Sequence, residues 1–334
     1  MTPYRAPWWL PGGHLQTIYP ALALRRGTTR LERERWTTPD GDFIDVDWRK
    51  RIADAPLVVL FHGLEGSARG HYASSLLRAL DQRGWNGAIV HFRGCSGEPN
   101  RLPRAYHSGD SAEIDWILRR FRNAHAGPLF AVGVSLGGNA LLKWLGEQAV
   151  AASTVLSAAA AVSTPFDLTA AGTALDRGLN QKLYTRHFLR SLKQKALAKS
   201  RCHSGLPSAA ALRAIDTLHA FDDLYTAPFH GYADADDYWR RASSKPWLRH
   251  IKVATLLINA RNDPFLPAAA LPRSDELSRA IEADFPDQGG HAGFVSSPFP
   301  GTLDWLPQRI TAFFARHVST ARMEIETKTP HNGV

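Results

Sequence analysis

Five short apolar runs constrain this chain more than anything else in it: PLVVLFHG (56–63), GAIVHF (87–92), PLFAVGV (128–134), STVLSAA (153–159) and KVATLLINA (252–260). Each is of strand length and apolar on both alternating sets of positions, as a strand must be when both faces of its sheet are covered. A sixth segment, DFIDVDW (42–48), alternates apolar and acidic residues and reads as a half-exposed strand. Between them, residues 71–83, 109–123, 137–149, 272–283 and 302–317 carry apolar residues at helical spacing, for instance Ile114, Ile117 and Leu118. Strands that alternate with helices require crossover connections, which predicts an α/β fold with a mostly parallel central sheet and helices on both faces. Ligands of such sheets bind at the carboxyl ends of the strands. One stretch, 164–248, breaks the rhythm, because it holds helical segments and no central strand. It reads as a helical insertion lying over those strand ends. The expected organisation is therefore a core over 1–163 with an N-terminal arm, a helical lid over 164–248, the rest of the core over 249–318 and a flexible tail over 319–334.

Composition removes several function classes. With 334 residues, 44% of them hydrophobic, the chain can bury a large core. No apolar run approaches the roughly 18 uncharged residues of a membrane helix, and prolines interrupt the N-terminus where a signal peptide would stay apolar, so a cytoplasmic location is expected. The two cysteines, Cys95 and Cys202, form no C-x-x-C pair, and neither a metal site nor a redox dithiol is expected. The net charge of +9 comes without a basic aromatic-interleaved motif or a Cys/His finger, so nucleic acid is not the expected partner.

The sequence GVSLG, Gly133 to Gly137, lies where a predicted strand ends and a predicted helix starts, the context of a nucleophile elbow. Such a turn throws Ser135 out above the sheet and leaves no space for a Cβ two residues to either side. An acid and a histidine should follow, in that order, each in a loop after a strand. ARNDPF supplies Asp263 just past the run 252–260, and GGHAGF supplies His291; the later His317 and His331 lie on the last helix and in the tail. Asp167, in STPFDL, competes for the acid, but Asp263 sits in the shorter loop ahead of a proline turn and is preferred. A serine hydroxyl becomes nucleophilic only when an imidazole takes its proton, and the imidazole needs a carboxylate to hold its tautomer. An oxyanion also needs two backbone N–H donors. The N–H of Leu136, after the nucleophile, and that of Leu64, in FHGLEGS, are the expected pair. His62 in that loop reads as a brace, as do Arg93 and Cys95 in HFRGCSGEPN.

With these residues in view, the chain resembles the YheT-like family of α/β-hydrolases, an esterase and lipase-like branch. The likeness runs through GGHLQTIYPAL, HGLEGS, HFRGCSGEPN, GVSLGGN, FDDLYTAP with GYADADDYW, ARNDPF and GGHAGF, in that order over almost the whole chain. It implies carboxylic-ester hydrolysis without cofactor or metal, and it assigns the triad to the positions that match Ser135, Asp263 and His291.

The expected function is that of a serine hydrolase working through an acyl-enzyme on short-to-medium acyl esters, with an ester or lipid-like small molecule as partner. Two alternatives remain open: an O-acyltransferase or lipase with the same triad, in which the transferase passes the acyl group to an alcohol, and a binding protein on a hydrolase scaffold. In the lid, Tyr184, Phe188 and Leu192 fall on one helix face, expected to meet the acyl chain. Lys182, Arg186, Arg190 and Lys193 fall on the other, either solvated or set against anionic lipid or a phosphate-bearing donor. Trp8 and Trp9 read as an arm packed on the domain or as a membrane contact.

Overall fold

A computed structural model describes residues 2–24 and 30–318. Eight strands form one sheet in the order β1-β2-β4-β3-β5-β6-β7-β8, with β1 (Glu32–Thr37), β2 (Phe43–Trp48), β3 (Leu57–Phe61), β4 (Asn86–His91), β5 (Leu129–Val134), β6 (Ala158–Val162), β7 (Thr255–Ile258) and β8 (Ile281–Asp284). β2 runs antiparallel to both β1 and β4, and the pairs from β4 through β3, β5, β6 and β7 to β8 are parallel. The expected mostly parallel α/β fold is what the chain adopts.

The apolar runs conceal a period of two. Leu57, Val59, Phe61, Ala131, Ala159, Ala161 and Leu257 point into one core, against α3 (Ser111–Ala124) and α4 (Leu136–Gln148). Val58, Leu60, Phe130, Val132, Ala160, Leu256 and Ile258 point into the other, against α2 (His71–Gln82) and the last helix, Trp305–Ala315. Covering both faces makes both sets apolar, so the alternation disappears from the sequence.

Three local expectations need correction, and one strand was not expected. β2 is buried rather than half-exposed, because its acids are paired: Arg33 and Arg35 of β1, directly across the ladder, form ion pairs with Asp47 at 2.7 Å and Asp45 at 2.8 Å. β1 itself escaped notice because ERERWT, an edge strand, carries charges where a core strand carries aliphatics. The segment 272–283 is not a helix; it holds a single turn at Ser274–Glu276 and then β8. Its residues favour helix locally, but pairing with β7 and the contacts of Glu282 and Asp284 with Arg309 decide the outcome. The run at 153–159 begins too early, since Ala149–Thr154 is a tight helical turn and β6 starts at Ala158.

Between β6 and β7 the described chain is helical. It contains α5 (Leu168–Leu175), a helix that begins at Gly178, widens over Gln181–Thr185 and continues as α6 (Arg186–Ser200), shorter pieces, and α7 (Ala235–Ala242). These helices share an apolar cluster of their own, which includes Leu168, Leu189, Leu212, Phe221 and Trp239 and is joined from the core by Phe265. Asn139 of α4 fastens the end of this insertion. Its amide donates to the carbonyls of Ser108 and Ala242 and accepts from the Ser244 N–H at 2.9 Å. The tail 319–334 lies outside the described residues.

Candidate active site

Ser135 stands between β5 and α4 with φ 54° and ψ −121°, a conformation that L-residues avoid and that the surrounding strand and helix impose. The glycines around it are there for space. A Cβ on Gly137 would lie 2.5 Å from the Phe61 carbonyl oxygen, and one on Gly133 would lie 2.5 Å from that of Gly137. The Ser135 N–H donates to the Val162 carbonyl at 2.9 Å, which holds the turn against the end of β6. The next residue, Ser163, accepts from the Ala292 N–H at 2.8 Å, so the loop carrying His291 is bonded to the strand end beside the serine turn.

Asp263 and His291 are brought together. His291 Nδ1 lies 2.8 Å from one Asp263 carboxylate oxygen and 3.1 Å from the other. A carboxylate only accepts, so Nδ1 carries the proton and Nε2 is left as an acceptor. The same Asp263 carboxylate accepts from the Phe265 N–H at 2.8 Å, and the Phe265 ring stacks on His291 at 3.9 Å between centroids. Asp167 is elsewhere in the site's geography. It caps the first turn of α5 by accepting from the Ala170 N–H at 3.0 Å.

Ser135, Leu136, Leu64 and Phe265 all line one cavity of about 400 Å³. In the Leu64 loop the Gly63 N–H donates to Tyr72 and the Glu65 N–H to Tyr106, while the Leu64 N–H between them has no hydrogen-bond partner among the described residues. His62 is a brace, as its sequence position implied. Its Nδ1–H donates to the Gly63 carbonyl, its Nε2 accepts from the Phe92 N–H, and burial lowers its pKa to about 3, which keeps it neutral. Arg93 is buried too, shared among Glu113, Asp40 and Asp42. Cys95 receives Lys195 Nζ at 3.5 Å, and burial pushes its thiol up to about 11, so it is no nucleophile at neutral pH.

The lid helix meets the cavity only in part as expected. Phe188 and Leu192 line it, with Leu168, Phe221 and Trp239. Tyr184 does not; its hydroxyl lies 3.0 Å from His14 Nδ1 and its ring packs on Phe265. Lys182, Arg186 and Arg190 are exposed, whereas Lys193 is half-buried and donates to the Arg213 carbonyl. Two cations that were not anticipated do reach the cavity. Lys195 is held by Glu65 at 2.7 Å, and Lys199 is held by the carbonyls of Pro103 and Arg104, where burial brings its pKa down to about 8.

The N-terminal helix α1 (Gly13–Leu22) was also missed, and it supports both the loop of Asp263 and the loop of His291. Gln16 is fully buried. Its Oε1 accepts from the Gly289 N–H and from the Asn262 amide, and its Nε2 donates to Leu10 and Gln288. Thr17 Oγ1 accepts from the His291 N–H at 2.9 Å. The close approach demands Gly13, since a Cβ there would fall 1.9 Å from the Asn262 carbonyl oxygen. The signal in the sequence was GGHLQT itself, glycines followed by amide and hydroxyl groups in a segment where Pro20 spoils the helical pattern. Gln16→Leu is expected to lower kcat about 10²-fold with little change in KM, because the acid and base loops lose their common tether. Steady-state kinetics beside a thermal melt checks this; a folded variant with unchanged kcat would reduce α1 to a cover.

A model of the alpha/beta hydrolase fold matches residues 56–298. The protein named "Putative esterase YheT" of Escherichia coli (strain K12) is 41% identical over 304 residues, covering 89% of this chain and 88% of the relative. Phospholipase ABHD3 of Homo sapiens is 25% identical over 317 residues, covering 91% of this chain and 76% of that protein. Among solved structures, the Pyrococcus furiosus esterase Pf2001 superposes with a TM-score of 0.54 at 16% identity, covering 87% of this chain and 94% of the other, a likeness of fold.

Proposed function

This chain belongs to the YheT-like α/β-hydrolases, a group of esterase and lipase type, and on that ground we propose that it is a serine carboxylic-ester hydrolase acting on short-to-medium acyl esters. The observation that carries the reading is a strained serine turn lining an apolar cavity, together with a histidine bonded to a buried carboxylate and stacked on Phe265, which lines the same cavity. In this mechanism Ser135 Oγ attacks the ester carbonyl carbon as His291 Nε2 takes its proton. Asp263 stabilises the imidazolium so formed. The carbonyl electron pair moves to oxygen, where the Leu64 and Leu136 N–H groups receive it. Collapse of the tetrahedral intermediate expels the alkoxide, which leaves as the alcohol with the proton from His291. Water, deprotonated by the same imidazole, then attacks the acyl-Ser135 ester and releases the carboxylic acid. The sheet core and the helical insertion at 164–248 divide the labour, the first supplying the three reacting side chains and the second most of the apolar lining.

Phe188 and Leu192 at the cavity supply the acyl selectivity in this reading. Burying an aromatic side chain against an acyl chain is worth about 1.5 to 3 kcal/mol, so Phe188→Ala is expected to lower kcat/KM for an octanoyl ester about tenfold more than for an acetyl ester. A panel of acyl esters from acetyl to octanoyl, with product analysis, tests both levels. Absence of turnover across the panel would overturn the esterase reading; equal losses in the Phe188 variant would remove only its acyl contact.

A further inference from the structure

The positive charge of this chain is not spread evenly. Residues 1–31 contain four arginines and no Asp or Glu, and residues 177–215 contain nine Lys or Arg and again no Asp or Glu. Outside these two segments the remaining 27 basic and 31 acidic residues leave a small net negative charge. The fold joins the two segments: His14 of α1 lies 3.0 Å from the Tyr184 hydroxyl, with the two rings stacked. The turn at 296–302 packs against the first of them, since Trp9 lies edge-on against both Tyr19 and Phe299, and the Tyr19 hydroxyl donates to the Pro300 carbonyl.

Exposed apolar side chains gather in the same place. Of the eight large hydrophobic residues exposed among the described residues, six lie here: Trp8, Leu15, Leu22, Leu179, Leu183 and Phe299. Trp8 is 92% exposed and Leu22 is 81% exposed. Leu15, Tyr19 and Leu22 recur at helical spacing and form one stripe of α1. Exposed Arg5, Lys182, Arg186 and Arg190 flank this patch. Aromatic and aliphatic groups beside cations, on a helix of ten residues that is too short to span a bilayer, suit the boundary between lipid headgroups and acyl chains.

We propose that this face, made of the N-terminal arm, α1, the 296–302 turn and the start of the lid helix, docks on an anionic lipid surface. The lipid matches both halves of the patch. Anionic headgroups attract the cations at about fivefold in binding per charge, and the interface takes up Trp8, Leu22 and Phe299. A nucleic-acid backbone would match the charge but leave the aliphatic side chains without an apolar partner. A second copy would bring one carboxylate-free surface against another. The position also serves chemistry, because Tyr184 packs on Phe265, and Phe265 both stacks on His291 and lines the cavity.

Binding to vesicles of ether-linked phosphatidylglycerol and phosphatidylcholine, measured by cosedimentation, tests the proposal without any ester to cleave, so its failure and that of the esterase reading are separable. Binding is expected to vesicles rich in phosphatidylglycerol, to weaken with salt and to be lost on pure phosphatidylcholine. Reversing Lys182, Arg186 and Arg190 together to Glu should lower the partition coefficient at least a hundredfold, and Trp8→Ala with Leu22→Ala about tenfold. Both variants should keep wild-type turnover of a water-soluble acetyl ester, which reports an intact fold. No binding to anionic vesicles, binding indifferent to lipid charge or to these substitutions, tighter binding to duplex nucleic acid than to the vesicles, or self-association abolished by the same substitutions would each overturn it.

Discussion

Ser135→Ala is expected to lower kcat by about 10⁶, the scale seen when a serine nucleophile is removed from a complete triad. The size follows from geometry. The other serine with positive φ at an adjacent strand end, Ser163, has its hydroxyl bonded to the Ala292 N–H, whereas Ser135 lines the cavity at φ 54° with glycines packed on either side. A fluorophosphonate probe should label wild-type protein at Ser135 alone, since an unactivated serine does not attack it, and peptide mapping of the adduct reads the outcome. The alanine variant should be folded, unlabelled and inactive. Label on a different residue, or full turnover by the alanine variant, would displace Ser135 as nucleophile.

Asp263→Asn is expected to lower kcat by about 10⁴ while leaving the fold intact, since an amide that donates its NH₂ to His291 Nδ1 leaves the ring proton on Nε2, the nitrogen that must take the serine proton, and stabilises no cation. Asp263 is 5% exposed and bonded to His291 Nδ1 at 2.8 Å, so its loss acts directly on His291. Asp167→Asn is the contrasting experiment. Asp167 accepts from the Ala170 N–H at the start of α5, and a residual cap there costs at most about 1 kcal/mol of stability with kcat preserved. Kinetics of the two variants side by side checks the choice between them. If Asp167→Asn proved the damaging change, the acid would have to be reassigned to the loop after β6.

How much of this was legible in the amino-acid string depended on whether a feature's cause was local. The elbow was legible because a turn that admits no Cβ at Gly133 or Gly137 forces particular residue types at fixed spacing, and the clashes at those positions are the physical content of the motif. The core strands were legible because burial on both faces writes itself as an unbroken apolar run. β1 and β8 were not, for the opposite reason. Their charges are matched across the ladder or by a helix far along the chain, Arg33 with Asp47 and Glu282 with Arg309, and no local window contains both partners.

The site divides along the same line. The sequence carries the order Ser135, Asp263, His291 and the strand-end context of Ser135 and Asp263, because a covalent mechanism of the kind proposed requires these groups in loops after strands; the strand ahead of His291 became visible only in the sheet. Tertiary structure alone decided that Asp167 is a helix cap, that Tyr184 turns away from the cavity to meet His14, that Lys195 and Lys199 reach into it, and that Gln16 ties the acid loop to the base loop. Apart from the Asp167 cap, whose partner is three residues away, each of those outcomes depends on contacts between residues tens to hundreds of positions apart. Hydrogen bonds and packing at such separations are set by how the layers stack, and periodicity along the chain carries no record of them.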